Sequence, residues 1–305
     1  MPVMTVRGPI GGDQLGLTLP HEHLFLDLFR ITRVKDGLLN DETLATGEAS
    51  RFKAAGGGTI VEVTSHGLKR NAAAMRRVSE ATRLHVVMGA GWYREPYYDH
   101  DYIGRRTTAD LAADFVAEIE KGEPATGIRP GIIGEIGADW SWVSPAEERV
   151  HRASARAHRK TGLAITLHSL ESPVGLLQLD ILKEEGADLR RVVVGHSDTW
   201  PDSDYHEAVA RQGAYVQFDT IRGLHPYEVE KQIRLTLELV RRGHLERVLL
   251  SHDNCVRSHL TGYGGNGYAY IPTTFVPLLR KAGLSEEQIR TILFENPRRV
   301  LTGEK

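Results

Sequence analysis

Eight short apolar runs, each followed by a longer amphipathic stretch, leave this chain few folds to choose from. Strands are expected near Leu17 to His23, Thr59 to Val63, His85 to Ala90, Gly131 to Ile136, Ala164 to His168, Arg191 to His196, Ala214 to Asp219 and Arg247 to Asp253. Alternation of strand and helix implies a parallel sheet, and eight such units imply closure into an α/β fold, the (β/α)8 TIM barrel. An open doubly wound sheet is the rival. It would carry a glycine-rich phosphate loop after its first strand, where this chain has His21-Glu22-His23-Leu24-Phe25. Gly56-Gly57-Gly58 precedes a strand and reads as a helix-to-strand turn. The 305 residues suit one such barrel, and no Pro/Ser-rich linker or charge run divides them, so a single domain over residues 1–305 is expected.

The helix boundaries are punctuated. Ser144-Pro145-Ala146-Glu147 is a capping box with proline at the first helical position, Ser172-Pro173 is expected to open the next helix in the same way, and Ser285 with Gln288 should cap the last. Gly186, Gly213 and Gly243 fall where helices should stop. Arg191 to Asp198 echoes Arg247 to Asp253, as barrel pseudo-symmetry would place polar residues on one rim.

Composition narrows the partners. With a net charge of -2 and 26% charged residues, nothing favours nucleic acid or an anionic membrane. Cys255 is the one cysteine, so no intrachain disulfide can form. No signal-like core or membrane-length apolar stretch occurs, and a cytoplasmic location with a small-molecule substrate is the expectation.

The chemistry starts at Leu19-Pro20-His21-Glu22-His23. On a strand, a period of two puts His21 and His23 on one face and Glu22 on the other, so that two imidazoles converge as they would on a metal ion. A bare His-x-His is as often a pair of ordinary polar residues. Glu135, His168, His196 and Asp253, however, each end a separate apolar run, and all would face one rim. Four imidazoles and two carboxylates form the ligand inventory of a two-cation hydrolytic site. His252 competes with Asp253, because neighbours on a regular strand cannot both point inward. His66 reads as a hydrogen-bonded rim residue, and the remaining histidines as ordinary packing.

These motifs together resemble the phosphotriesterase family of the amidohydrolase superfamily, and especially its homology-protein branch. The resemblance is carried by Gly16 to His23, Ile133-Gly134-Glu135-Ile136-Gly137, Leu167-His168-Ser169, Val194 to Asp198, Ala214 to Thr220, Leu250 to Asp253, Gly264 to Tyr268 and Thr273 to Pro277. It implies two divalent cations, with zinc as the default and manganese, cobalt or iron as alternatives. His21, His23 and Asp253 would hold the more buried one, His168 and His196 the more exposed one, and Glu135 would bridge them. Hydroxide generated between the cations would attack the substrate, with Asp253 as proton acceptor and later donor. Better-known members of the family use a carboxylated lysine at the bridge. Glu135 is already anionic, so assembly should not need bicarbonate.

For the substrate, Tyr93 and Arg94 match a region where related lactonases place a tyrosine near the substrate carbonyl. Arg222 is a candidate for an anionic substrate group, and Trp92, Trp140 and Trp142 for pocket walls. Residues 254–271 form a long Gly/Tyr-rich loop at the same rim. Thr220 stands where organophosphate hydrolases carry histidine, which points away from phosphotriesters as the native substrate. The expected activity is hydrolysis of a small ester, lactone or amide, with phosphotriesters at most a side reaction. A TatD-like deoxyribonuclease, which shares His-x-His and Gly-Glu-Ile-Gly, and a non-catalytic ligand-binding barrel are the alternatives. The resemblance also suggests a homodimer.

Overall fold

All eight expected strands form in the computed structural model, which describes residues 1–304. They are β1 (Leu17–Glu22), β2 (Gly57–Glu62), β3 (His85–Ala90), β4 (Ile132–Gly137), β5 (Ile165–His168), β6 (Val192–Gly195), β7 (Tyr215–Phe218) and β8 (Val248–Leu250). Each pairs in parallel with its sequence neighbours, in sequential order around a barrel. Helices α1 (Glu42–Ala54), α2 (Ala72–Thr82), α3 (Thr108–Lys121), α4 (Pro145–Thr161), α5 (Val174–Glu184), α6 (Ser203–Arg211) and α7 (Pro226–Arg241) lie between strands, and α8 (Asn296–Thr302) ends the described chain. Among the described residues no helix is long and apolar enough to cross a membrane.

The strands are apolar on both faces because both faces are buried. Val61, Val87, Ile132, Ala164, Val193 and Leu249 fill the barrel interior, and Val300 and Leu301 of α8 close its floor. Ile60, Val86, Ile133, Leu167, Val194, Phe218 and Leu250 face the helices. Full burial of such side chains contributes roughly 1.5–3 kcal/mol apiece.

β1 departs from simple alternation. Leu17 and Leu19 belong to the outer core, yet His21 and His23, of the same parity, reach the interior site. The pairing of Leu19 with Ile60 and of Glu22 with Glu62 sets Pro20 and His21 opposite Val61 alone. This bulge switches the inward face from even to odd positions. Proline sits at it without breaking the ladder.

No strand ladder joins β8 to β1; the seam is closed by one backbone hydrogen bond and a set of side chains. Ser251 Oγ accepts His21 N–H at 3.1 Å, and Asp253 N donates to His21 O at 3.2 Å. Glu22, turned away from the interior, takes the backbone N–H of His252 at 2.9 Å and of Asn254 at 3.1 Å, and pairs with His252 Nδ1 at 2.7 Å. Glu22, Ser251 and His252 are all fully buried.

Helix punctuation is mostly as expected. Ser144 and Ser285 form capping boxes, and Gly186, Gly213 and Gly243 take positive φ just past α5, α6 and α7. Gly56 does the same after α1, and Gly58 admits the close passage of β1, since a Cβ there would lie 2.2 Å from Leu15 O. Ser172 is a correction. Pro173 occupies the cap of α5 with ψ of 21°, outside the extended region a capping serine needs, and Ser172 Oγ is left without a partner.

Replacing Glu22 by alanine should strand several buried donors at the seam, at a cost of at least about 3 kcal/mol. Urea unfolding of the chelator-treated protein checks this; a loss below about 1 kcal/mol would show that the seam does not depend on Glu22.

Candidate metal centre

The six expected ligands converge at the C-terminal end of the barrel, each buried. His21 Nε2 lies 3.5 Å from Glu135 Oε2 and 3.9 Å from Asp253 Oδ1, and His23 Nε2 lies 3.6 Å from Glu135 Oε1 and 3.2 Å from Asp253 Oδ1. On the other side of Glu135, Oε2 is 3.0 Å from His168 Nδ1 and 3.4 Å from His196 Nε2. Glu135 thus faces two clusters at once, with one oxygen nearer His23 and the other nearer His168 and His196. Two sets of ligand atoms, His21 with His23 and Asp253, and His21 with Glu135 and His196, are close enough to surround a cation.

The strand ends aim these groups. β6 and β8 stop at Gly195 and Leu250, earlier than expected, and His196 and Asp253 then adopt left-handed backbone with φ of 56° and 50°. Such conformations cost a non-glycine residue of order 1–3 kcal/mol and persist where the surroundings impose them. The turn also separates Asp253 from His252. Asp253 enters the site, whereas His252 turns out to Glu22 and accepts Ile271 N–H at 3.1 Å.

A second layer orients the imidazoles. Asp219, fully buried, accepts from His196 Nδ1 at 2.8 Å and lies 3.2 Å from His21 Nδ1. Gln217 adjoins His21 Nδ1 at 3.0 Å and donates to Asp219 Oδ2 at 2.7 Å. His23 Nδ1 meets Thr64 Oγ1 at 2.8 Å, and that hydroxyl donates to Glu62 Oε1 at 2.7 Å. With Nδ1 engaged on the outer side, His21, His23 and His196 each turn Nε2 toward the site, the side from which metal-binding histidines ligate. These partners went unpredicted. Asp219 ends an apolar run as Glu135 does, and that shared placement was the available signal; Thr64, as a hydroxyl, gave none.

The electrostatics are those of buried carboxylates set among imidazoles. Burial alone would lower His23, but the Asp253 hydrogen bond and the Glu135 charge pull it up to about 9. Burial and the neighbouring His196 push His168 down to about 4, so its imidazole is neutral at pH 7. Against its own burial, Glu135 is held well below the usual carboxylate range by His168 and His21. Asp253 is also held low, by His23 and Arg222. Buried anions are thus neutralised by protons on imidazoles. His21 Nε2 nevertheless has no hydrogen-bond partner, which suits a site built for cations.

The expected substrate residues divide. Tyr93 is buried with its hydroxyl 3.3 Å from the His168 ring, and burial keeps its phenol protonated well above the ordinary range. Arg94 is engaged by Asp139 and stacks 5.2 Å from the rings of Tyr93 and Tyr97, so it braces Tyr93. Arg222 donates to Asp253 Oδ2 at 2.6 Å and to the carbonyl of the same residue, so it holds Asp253 in place; the expected free anion contact is not what it makes. Trp92 lies on the outer face against His66, with ring centroids 5.4 Å apart, and does not wall the site. Trp140 and Trp142 are exposed beyond β4. Thr220 bonds to Asp198, and His66 to Glu118 at 3.1 Å. The long final loop folds back over the centre: Tyr268 donates to His23 O at 2.8 Å and Asn266 to Arg222 O at 2.8 Å. A cavity of about 620 Å³ lined by His66, Trp92, Tyr102 and Phe115 lies outside the barrel wall, away from these ligands.

Comparison with known proteins agrees with this geometry. The model of the phosphotriesterase family matches residues 1–301. The phosphotriesterase homology protein of Escherichia coli K12 is 39% identical over 93% of this chain and 97% of its own length, and its crystal structure superposes with a TM-score of 0.91 over 95% of this chain and 99% of that one. An N-acetyltaurine hydrolase from Danio rerio is 31% identical over 98% of this chain and 97% of its own. The crystal structure of a lactonase from Listeria monocytogenes is 28% identical, with a TM-score of 0.94 and full coverage of both chains. The chain belongs to the phosphotriesterase family and is a metal-dependent hydrolase.

Proposed function

We propose that the protein uses two divalent cations, zinc by first expectation, to hydrolyse a small carboxylic ester, lactone or amide. The observation that carries this reading is the convergence of His21, His23, Glu135, His168, His196 and Asp253 at one mouth of the barrel, with Glu135 facing both clusters. Zn–N bonds of about 2.0–2.1 Å in tetrahedral geometry place neighbouring ligand atoms roughly 3.3 Å apart. Most separations here are of that size; the 2.7 Å contact between His168 Nδ1 and His196 Nε2 would have to open. His21, His23 and Asp253 would hold one cation, His168 and His196 the other, and Glu135 both. Cations so placed would supply a hydroxide at neutral pH and polarise the substrate oxygen.

The protein's own groups do the rest. Asp253 turns Oδ1 to the site while Arg222 fixes Oδ2, so its carboxylate is placed to accept a proton from the attacking water and pass it to the leaving group. The Tyr93 hydroxyl, kept protonated and braced by Arg94, is positioned to donate to a substrate oxygen beside His168.

The substrate class rests on three supports. Thr220, where organophosphate hydrolases carry histidine, is tied to Asp198. Trp140, Trp142, Leu170, Trp200 and Leu224, 37% to 64% exposed, stand in the loops after β4 to β7 and suit an apolar portion of the substrate. The relatives named for N-acetyltaurine and lactone hydrolysis act on carboxylic acyl groups, as proposed here.

Zinc-loaded protein assayed against lactones, N-acyl amino acids, carboxylic esters and a phosphotriester should show its highest kcat/KM on an acyl substrate, and chelation should abolish turnover. A phosphotriester as the best substrate would overturn the assignment. Asp253→Asn should keep most of its metal and lose about 10²–10⁴-fold in kcat; near-normal turnover would remove Asp253 from the chemistry.

A further inference from the structure

Asp219 sits where two ligand sets meet. Its Oδ1 accepts the Nδ1–H of His196 at 2.8 Å and also the His196 backbone N–H at 2.9 Å. Its Oδ2 lies 3.2 Å from His21 Nδ1 and accepts from Gln217 at 2.7 Å. The carboxylate is fully buried. On their far sides the same two rings approach one oxygen, Glu135 Oε2, His21 Nε2 at 3.5 Å and His196 Nε2 at 3.4 Å. Their ring centroids are 4.9 Å apart. Each imidazole is therefore clasped between the same two carboxylates, and neither can turn without disturbing a group that orients the other. The remaining orienting contacts are private: Thr64 engages His23 alone, and Arg222 engages Asp253 alone among the proposed ligands.

We propose that Asp219 is a positioning residue that couples the two cation sites, so that filling one orients the ligands of the other and the ions load together. This rests on the two-cation reading above. Fixing His21 on a first ion fixes Asp219 Oδ2, and with it the rigid carboxylate whose Oδ1 sets the His196 ring. The ordering needed for the second ion is then already in place. An asparagine at this position offers one carbonyl oxygen in place of two carboxylate oxygens and no charge, so it cannot hold both rings as the carboxylate does.

The test is a zinc titration of the full chain after chelation, read by native mass spectrometry as the fractions carrying zero, one and two ions. Independent equivalent sites leave about half the molecules singly loaded at half-saturation, whereas tenfold coupling lowers this to about a quarter. The wild type should fall at or below that quarter. Asp219→Asn should weaken zinc uptake about 10–100-fold and restore the singly loaded form to half or more. Thr64→Val should weaken uptake while keeping the singly loaded fraction low, because the shared carboxylate is intact. A wild type that passes through a mostly singly loaded form overturns the coupling, whether or not the asparagine variant folds. So does an asparagine variant whose singly loaded fraction stays as low as the wild type's. A wild type that binds no zinc overturns the two-cation reading itself.

Discussion

The seam between the first and last strands is the constraint on which the site depends. It has no ladder of its own, so His21 and His23 are brought to Asp253 by a buried knot of Glu22, Ser251 and His252. The His21-Glu22-His23 sequence therefore has two jobs at adjacent positions: the histidines point in to the ligand cluster and the glutamate points out to hold the barrel shut. The bulge at Pro20 makes this compatible with the leucines before it, which need to face the helices.

Around that seam the protein accepts local strain and buried charge. His196 and Asp253 hold left-handed backbone, and Glu135, Asp253 and Asp219 are anions removed from water. Unpaired, such groups would be strongly destabilising. Here each is met by imidazoles, backbone N–H groups or Arg222, and the second layer of Asp219, Thr64 and Glu62 fixes which ring nitrogen faces inward. Such a cluster has the ligand types and second layer that a metal centre needs.

Much of this was legible in the sequence because periodicity and strand ends are local signals. Alternating apolar runs gave the barrel and its strand order, and Glu135, His168 and His196 could be found because each terminates such a run. What could not be read depended on tertiary contact. The choice between His252 and Asp253 turned on where β8 stops, and Arg222 could not be assigned to Asp253 without knowing that the loops after β7 and β8 touch. Trp92 was placed in the pocket by sequence position, but strand parity directs it outward against His66. Ser172 carried a capping signature that Pro173 preempted.

The most direct measurement of the central claim is a crystal structure of zinc-loaded protein with anomalous data at the zinc edge. Two peaks about 3.5–4 Å apart are predicted. One should lie within bonding distance of His21 Nε2, His23 Nε2 and Asp253, the other of His168 and His196, with Glu135 reaching both. A single peak, or ions bound away from Glu135, would contradict the account.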